Sequence, residues 1–253
     1  CEMMTWLPFA LAGAVAQLVD GSLGMGFGLT SSTLLLTLGA SAAVASAAVH
    51  AAEIGTTLAS GLSHWHRENV DTKILIRLAI PGGIGAALGA TFLSSIDLTN
   101  GRIFISTILL LLGFILVYRN IFQANQPNLV EITNPNYLTY LGFTGGFVDA
   151  SGGGGWGPVV TPTLMATTQT EPKKIIGTVS AAEFIVAVCA SLAFLANIAR
   201  LDIDWAVVGG LALGGILMAP IAAKLVSWMP KRQLGIFVGV AIILINALRL
   251  IGG

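Results

Sequence analysis

Residues 149–158 read Asp149-Ala-Ser-Gly-Gly-Gly-Gly-Trp-Gly-Pro158 and lie inside an otherwise apolar run. An aspartate and four consecutive glycines suit a lipid-bathed helix poorly, because each glycine costs about 1 kcal/mol in a helix. Broken backbone at membrane depth persists only where protein buries it or where it lines a cavity. A second break, Asp20-Gly-Ser-Leu-Gly-Met-Gly-Phe-Gly28, interrupts an earlier apolar run. Matched breaks in two apolar segments are the pattern of a solute-binding site near the bilayer midplane.

The surroundings agree. The 253 residues are 55% hydrophobic and 9% charged, against about 25% charged in a soluble domain. Mean hydropathy is +0.86. The chain therefore reads as an all-α polytopic protein of the plasma (inner) membrane, with the lipid bilayer as its partner. A net charge of zero gives no reason to expect nucleic acid. Cys1 and Cys189 make no disulfide framework; Cys189 reads as a small apolar packer and Cys1 as a trimmed boundary. No cofactor, metal or catalytic set is expected. A nucleotide fingerprint fails on spacing, since Leu29 stands where a third glycine would be needed.

In chain order, 3–19 and 29–38 flank the first break, and spans are expected at 42–63, 74–93 and 103–118. About 20 apolar residues cross a bilayer. Residues 119–136, with their prolines and asparagines, read as a cytoplasmic linker. The second half then repeats the first: 137–148 and 159–166 flank the second break, and spans follow at 175–196, 205–223 and 233–248. The register is direct. Asp20-Gly-Ser aligns with Asp149-Ala-Ser, Ala51-Ala-Glu53 with Ala181-Ala-Glu183, and Gly82-Gly-Ile84 with Gly214-Gly-Ile216. A duplicated unit is the expectation, with repeats at 1–118 and 137–253.

Lys and Arg collect in cytoplasmic loops, and here the bias reverses between halves. The loop at 64–73 holds Arg67 and Lys73, while its counterpart at 197–204 sets Arg200 against Asp202 and Asp204. The loop at 39–41 is uncharged, while 167–174 holds Lys173 and Lys174. This predicts two inverted-topology repeats, each a re-entrant broken hairpin plus three transmembrane helices.

Hairpins of this kind bring glycine-opened helix ends to the midplane, where free N–H groups and the helix dipole favour an anion. Gly24, Gly26 and Gly28 lie at one end; Gly153, Gly154, Gly155 and Gly157 lie at the other, with Pro158 in the first turn. Ser22, Ser151 and Trp156 are expected to line the site. The competing reading is close helix packing through glycine. The carboxylates Asp20, Asp149, Glu53 and Glu183 fall within apolar segments, where such groups face a cavity or a partner. Asp20 and Asp149 read first as caps of the broken helices. His50, Glu53 and Glu183 read as proton-coupling candidates, His50 and Glu53 sharing one helix face; Ser180 stands where His50 would repeat. Arg77, Arg119, Lys224 and Arg249 read as span-end cations that snorkel. The pairs Gly85/Gly89, Gly142/Gly146, Gly210/Gly214 and Gly235/Gly239 read as tight helix contacts, a homodimer face being the other use.

These motifs, above all Gly-Gly-Gly-Gly-Trp-Gly-Pro at 152–158 together with the Asp-x-Ser and Ala-Ala-Glu pairs, resemble the sulfite exporter TauE/SafE family along essentially the whole chain. The resemblance implies transport of sulfite, sulfonates or related small sulfur anions, with Asp20, Ser22, Asp149, Ser151 and the following glycines around the substrate. Export suits an anion leaving a negative interior, worth about 2.3 kcal/mol per charge per 100 mV. The alternatives are a passive anion channel or assembly subunit, and an intramembrane serine hydrolase with Ser22 or Ser151 as nucleophile and His50 as base.

Overall fold

The computed structural model describes residues 6–23, 25–122, 136–168, 170, 172–197, 204–225 and 231–251. Regular structure among them is helical throughout, in the order α1 (Leu7–Leu23), α2 (Phe27–Thr37), α3 (Ala42–His66), α4 (Thr72–Ser95), α5 (Leu98–Phe122), α6 (Asn136–Gly152), α7 (Trp156–Thr167), α8 (Pro172–Ala196), α9 (Trp205–Leu225) and α10 (Lys231–Ile251).

Both expected breaks are present. α1 stops before Gly26, which has φ 117°. α6 stops before Gly153 and Gly154, with φ 71° and 136°. Side chains rarely adopt these conformations, which explains the glycines. The 11 residues of α2 and 12 of α7 rise only about 17–18 Å at 1.5 Å per residue, short of a bilayer core of about 30 Å. Each packs back on the helix before it. Among the described residues four helices, α3, α4, α5 and α8, are long and apolar enough to cross a membrane, counting α5 from Thr99 and α8 from Lys174. The other two expected spans, α9 and α10, carry shorter described apolar stretches, Trp205–Met218 and Ile236–Ile251.

Both ends of α5 lie outside the span expected at 103–118. It starts at Leu98 because Asp97 Oδ1 accepts from the Thr99 and Asn100 amides at 3.1 and 2.9 Å. The Asn100 donors hold that carboxyl below the usual carboxylate range. α5 also runs past Arg119 to Phe122. Asn120 Nδ2 donates to the Leu116 carbonyl at 2.8 Å, and Arg232 Nε donates to the Asn120 carbonyl at 3.1 Å. These contacts extend the helix into the stretch read as linker.

The two halves exchange elements. α1 packs on α9 and α6 on α4, the most extensive contacts in the molecule. A Cβ at Gly142 or Gly146 would meet the Leu78 or Gly82 carbonyl, so α6 and α4 run in the same direction. A Cβ at Gly210 or Gly214 would meet the Trp6 or Ala10 carbonyl, so α9 and α1 do likewise. Counterpart helices oppose one another instead. Gly61 of α3 abuts Ala181 of α8 and Gly177 abuts His64; Gly113 of α5 abuts Ile243 of α10 and Gly239 abuts Val117.

The packing is that of helices with no water to exclude. On α4, Gly82, Gly85, Ala86, Gly89 and Ala90 are buried, while Ile76, Ile80, Ile84, Leu88 and Phe92 are exposed. Small residues let backbones approach, and large apolar ones face outward. The pairs Gly85/Gly89, Gly142/Gly146 and Gly210/Gly214 all serve contacts within the chain. Gly209 and Gly214 on α9 give a direct check. A Cβ at Gly214 falls on Ala10 backbone, whereas Gly209 has nothing within 4 Å. Gly214→Ala is expected to destabilise by about 1–3 kcal/mol through overpacking. Gly209→Ala should be neutral or gain up to about 1 kcal/mol of helix propensity. Thermal unfolding of the two variants in one detergent reads the difference.

Candidate functional site

The second break is organised by one residue. The Asp149 carbonyl accepts from Gly153 N at 2.8 Å and Gly154 N at 3.1 Å. Its Oδ1 accepts from Gly155 N at 2.7 Å and Trp156 N at 2.9 Å. Four successive amides are thereby satisfied, and a carboxylate caps α7 from the far side of the break. At the first break the Asp20 carboxyl accepts from the Phe27 backbone N–H, seven residues on, as Trp156 is from Asp149. The capping role read for both aspartates is therefore present.

Asp149 has a second partner. Its Oδ2 lies 3.2 Å from His50 Nε2, and His50 Nδ1 lies 2.8 Å from the Ser46 carbonyl. Both neighbours of the ring are acceptors. The pair is complete either as imidazolium against carboxylate or as imidazole against carboxylic acid, and each arrangement places one proton between them. Ser46 Oγ donates to the Ala150 carbonyl at 2.6 Å, tying α3 to the end of α6. All of these groups are buried.

The two tips touch. Ser32 Oγ of α2 donates to the Gly153 carbonyl. A Cβ on Gly28 would lie 2.6 Å from Gly154 Cα and 2.9 Å from Glu53 Oε1. Gly157 abuts Met25. The glycines serve both conformation and this mutual approach. Trp156 is fully buried, stacked on Gly82 and Gly145, with Nε1 donating to the Val179 carbonyl at 3.2 Å.

Beside the first tip lies a cavity of about 60 Å³. A water needs roughly 10–15 Å³, so the cavity has room for a few waters or one small ion. Asp20, Glu53 and Glu183 line it, with Gln17, Ser60 and Ser180 among the neutral groups. Glu53 is 2% exposed, and its Oε2 has no hydrogen-bond partner. His50, Glu53 and Asp149 bring ligand atoms within 4.8 Å of one another; two of the three already bond each other, leaving the carboxylate of Glu53.

The expected residues thus divide. Asp20, Glu53 and Glu183 meet at the cavity, while His50, Asp149 and Gly153–Gly157 form the adjoining tip. Trp156 does not line the cavity. Ser151 donates to the Phe147 carbonyl at 2.6 Å, and the serine beside His50 is Ser46, its Oγ 3.4 Å from Nδ1, so among the described residues Ser151 is not paired with His50. Gly24 and the side chain of Ser22 lie outside the described residues, as does Cys1. Gly235 carries no described side-chain environment, and Cys189 packs against Gly83.

Two contributors escaped the sequence reading. Thr30, Ser31, Ser32 and Thr33 are buried hydroxyls in a segment read simply as apolar; four consecutive hydroxyl residues were the available signal. Arg119, read as a span-end cation, extends its Nη1 to 2.9 Å from Met25 Sδ at the first tip.

Residues 9–248 match the family model described as Sulfite exporter TauE/SafE. The chain is 46% identical over 252 residues to the "Probable membrane transporter protein YtnM" of Bacillus subtilis (strain 168), covering 98% of this chain and 84% of that one. It is 26% identical over 235 residues to the "Probable membrane transporter protein YdhB" of the same organism, covering 90% of this chain and 92% of that one. No solved structure matches. With a family match across nearly its whole length and multiple apolar helices, this multi-pass membrane protein belongs to the sulfite exporter TauE/SafE family.

Proposed function

We propose that the protein is a secondary transporter that exports small sulfur-containing anions, sulfite and sulfonates, across the plasma membrane. The observation that carries this reading is the meeting of two aspartate-capped, glycine-opened helix tips inside the molecule. Each tip presents a helix N-terminus to an anionic oxygen, and in this state Asp20 and Asp149 occupy those seats. A substrate anion takes over amides that the carboxylates release. Arg119 beside Met25 adds positive charge on the approach to the first tip.

The architecture for this reading is two inverted repeats, 1–118 and 137–253, joined by a cytoplasmic linker, each a re-entrant hairpin with three spans. Its support is the opposed direction of α3 against α8 and of α5 against α10, since repeats related by an axis in the membrane plane run opposite ways. Rocking one repeat against the other exposes the tips to each side in turn. An anion cannot enter beside Asp20, Glu53, Asp149 and Glu183 without a compensating positive charge. Glu53 and Glu183 accept a co-transported cation, a proton in the first instance, and His50 with Asp149 carries another proton.

Proteoliposomes loaded with sulfite or isethionate test the proposal. The expected result is saturable efflux, slowed about 5- to 150-fold in Glu53→Gln or Glu183→Gln, the range of a 1–3 kcal/mol coupling free energy. Parental rates in both variants would remove the carboxylates from the cycle. Currents far faster than a transporter turns over would replace the transporter with a channel.

A further inference from the structure

We propose that the cavity beside the first tip is a binding site for a small hard metal cation, which travels with or is exchanged for the anion. The inference rests on the transporter reading above and replaces the proton with a metal ion at one place in it. No metal-ligand set is legible in the sequence, because the residues involved come from three helices: Gln17 and Asp20 from the last turns of α1, Glu53 and Ser60 from α3, and Glu183 from α8.

The polar side chains of the lining offer oxygen as the coordinating atom. Three are carboxylates, the others are hydroxyls and one carboxamide, and among the described residues no lysine, arginine or histidine lines the cavity. Such a wall repels the anionic substrate. Oxygen-only ligands select sodium, magnesium or calcium over zinc or copper, which prefer nitrogen and sulfur. The C-terminal turn of α1 adds its negative dipole end.

The observation that points to a ligand is a pair of orphaned acceptors. Glu53 Oε2 and Gln17 Oε1 have no hydrogen-bond partner among the described residues, and the two residues are only 2% and 9% exposed. A buried oxygen without a donor is costly, and a cation between two such oxygens satisfies both. Thr57 Oγ1 donates to the Glu53 carbonyl at 2.5 Å, fixing the turn of α3 that carries the carboxylate. Glu53 also connects the site to the tips, since its Oε1 lies against Gly28 where Gly28 meets Gly154. Occupancy of the cavity therefore bears on the contact between the two hairpins.

The full-length chain in nanodiscs of neutral lipid is the material for the test. Its melting temperature is measured while sodium, magnesium or calcium chloride replaces choline chloride at constant ionic strength. At least one of the three is expected to raise the melting temperature saturably by a few degrees, as a ligand of the folded state must. Glu183→Gln should abolish the rise. Gln17→Leu, the milder variant, should weaken the midpoint about 10- to 100-fold. A melting temperature indifferent to all three cations, or raised only by acidification, would overturn the proposal, as would an undiminished rise in both variants. Anion flux in matched proteoliposomes separates the two readings. Cation-dependent flux supports both, and flux indifferent to every cation overturns the coupling proposed here while leaving the transporter intact. Saturable stabilisation without any flux supports the cation site and removes the transporter.

Discussion

Asp149→Ala is expected to be among the most damaging single substitutions in the chain. It removes the acceptor for the Gly155 and Trp156 amides, a loss of about 0.5–2 kcal/mol for an ordinary helix cap. It also leaves His50 Nε2 facing nothing in a fully buried position. Breaking a buried pair from one side costs about 3–5 kcal/mol. Together these approach the whole stability of a typical domain, about 5–15 kcal/mol. The expected outcome is a large fall in melting temperature and in folded yield. Asp149→Asn keeps one carbonyl oxygen for the two amides and should retain much of the cap while losing the shared proton, and with it anion flux. A measured ranking in which Asn melts no higher than Ala, or in which Ala melts with the parent, would contradict this account of the break.

Gly154→Ala carries the second large effect, and it separates strain from contact. Gly154 has φ 136°, and a Cβ there would fall on the backbone of Gly28 and Leu29. The backbone conformation costs about 1–3 kcal/mol for a residue with a side chain, and forcing two rigid backbones apart adds about 1–3 kcal/mol. Gly26 provides the internal comparison. Its φ is 117°, yet the nearest atom to its Cβ is 3.6 Å away, on the Val19 side chain. Gly26→Ala therefore meets only the first cost, and Gly39→Ala, at φ 97° with open space around it, meets the same cost far from the tips. The expected order of melting temperatures places Gly154→Ala below both, and it alone should also lose transport. Equal losses in all three would mean that the tips do not depend on their mutual contact.

The parts of this molecule that the sequence exposed are those encoded locally. Glycine runs after an aspartate are conspicuous in an apolar chain, and both breaks lie where those runs predict them. The capping aspartates follow from the same few residues, because an N-cap and its amides are neighbours along the backbone. The repeat is legible because Asp20 and Asp149, or Glu53 and Glu183, recur within matched surroundings. What was not legible depends on which helix lies beside which. Ser32 is an unremarkable hydroxyl until α2 is set against the Gly153 carbonyl. Arg119 reads as a boundary cation until its side chain is seen turned back to Met25. Gln17 gains its meaning only when α3 and α8 close the cavity around it. The early start of α5 turns on the capping of the Thr99 and Asn100 amides by Asp97, a geometry that a count of charges along the chain does not carry.

The crossing of α1 onto α9 bears on how the protein is made. Residues 7–23 leave the ribosome well before 205–225, a lag of roughly 10–40 s at 5–20 residues per second. Throughout that interval α1, with its aspartate, must be sheltered by the insertion machinery. An amino-terminal fragment ending before α6 is released without a mate for its first helix, and it should be degraded unless the missing fragment is supplied in the same cell.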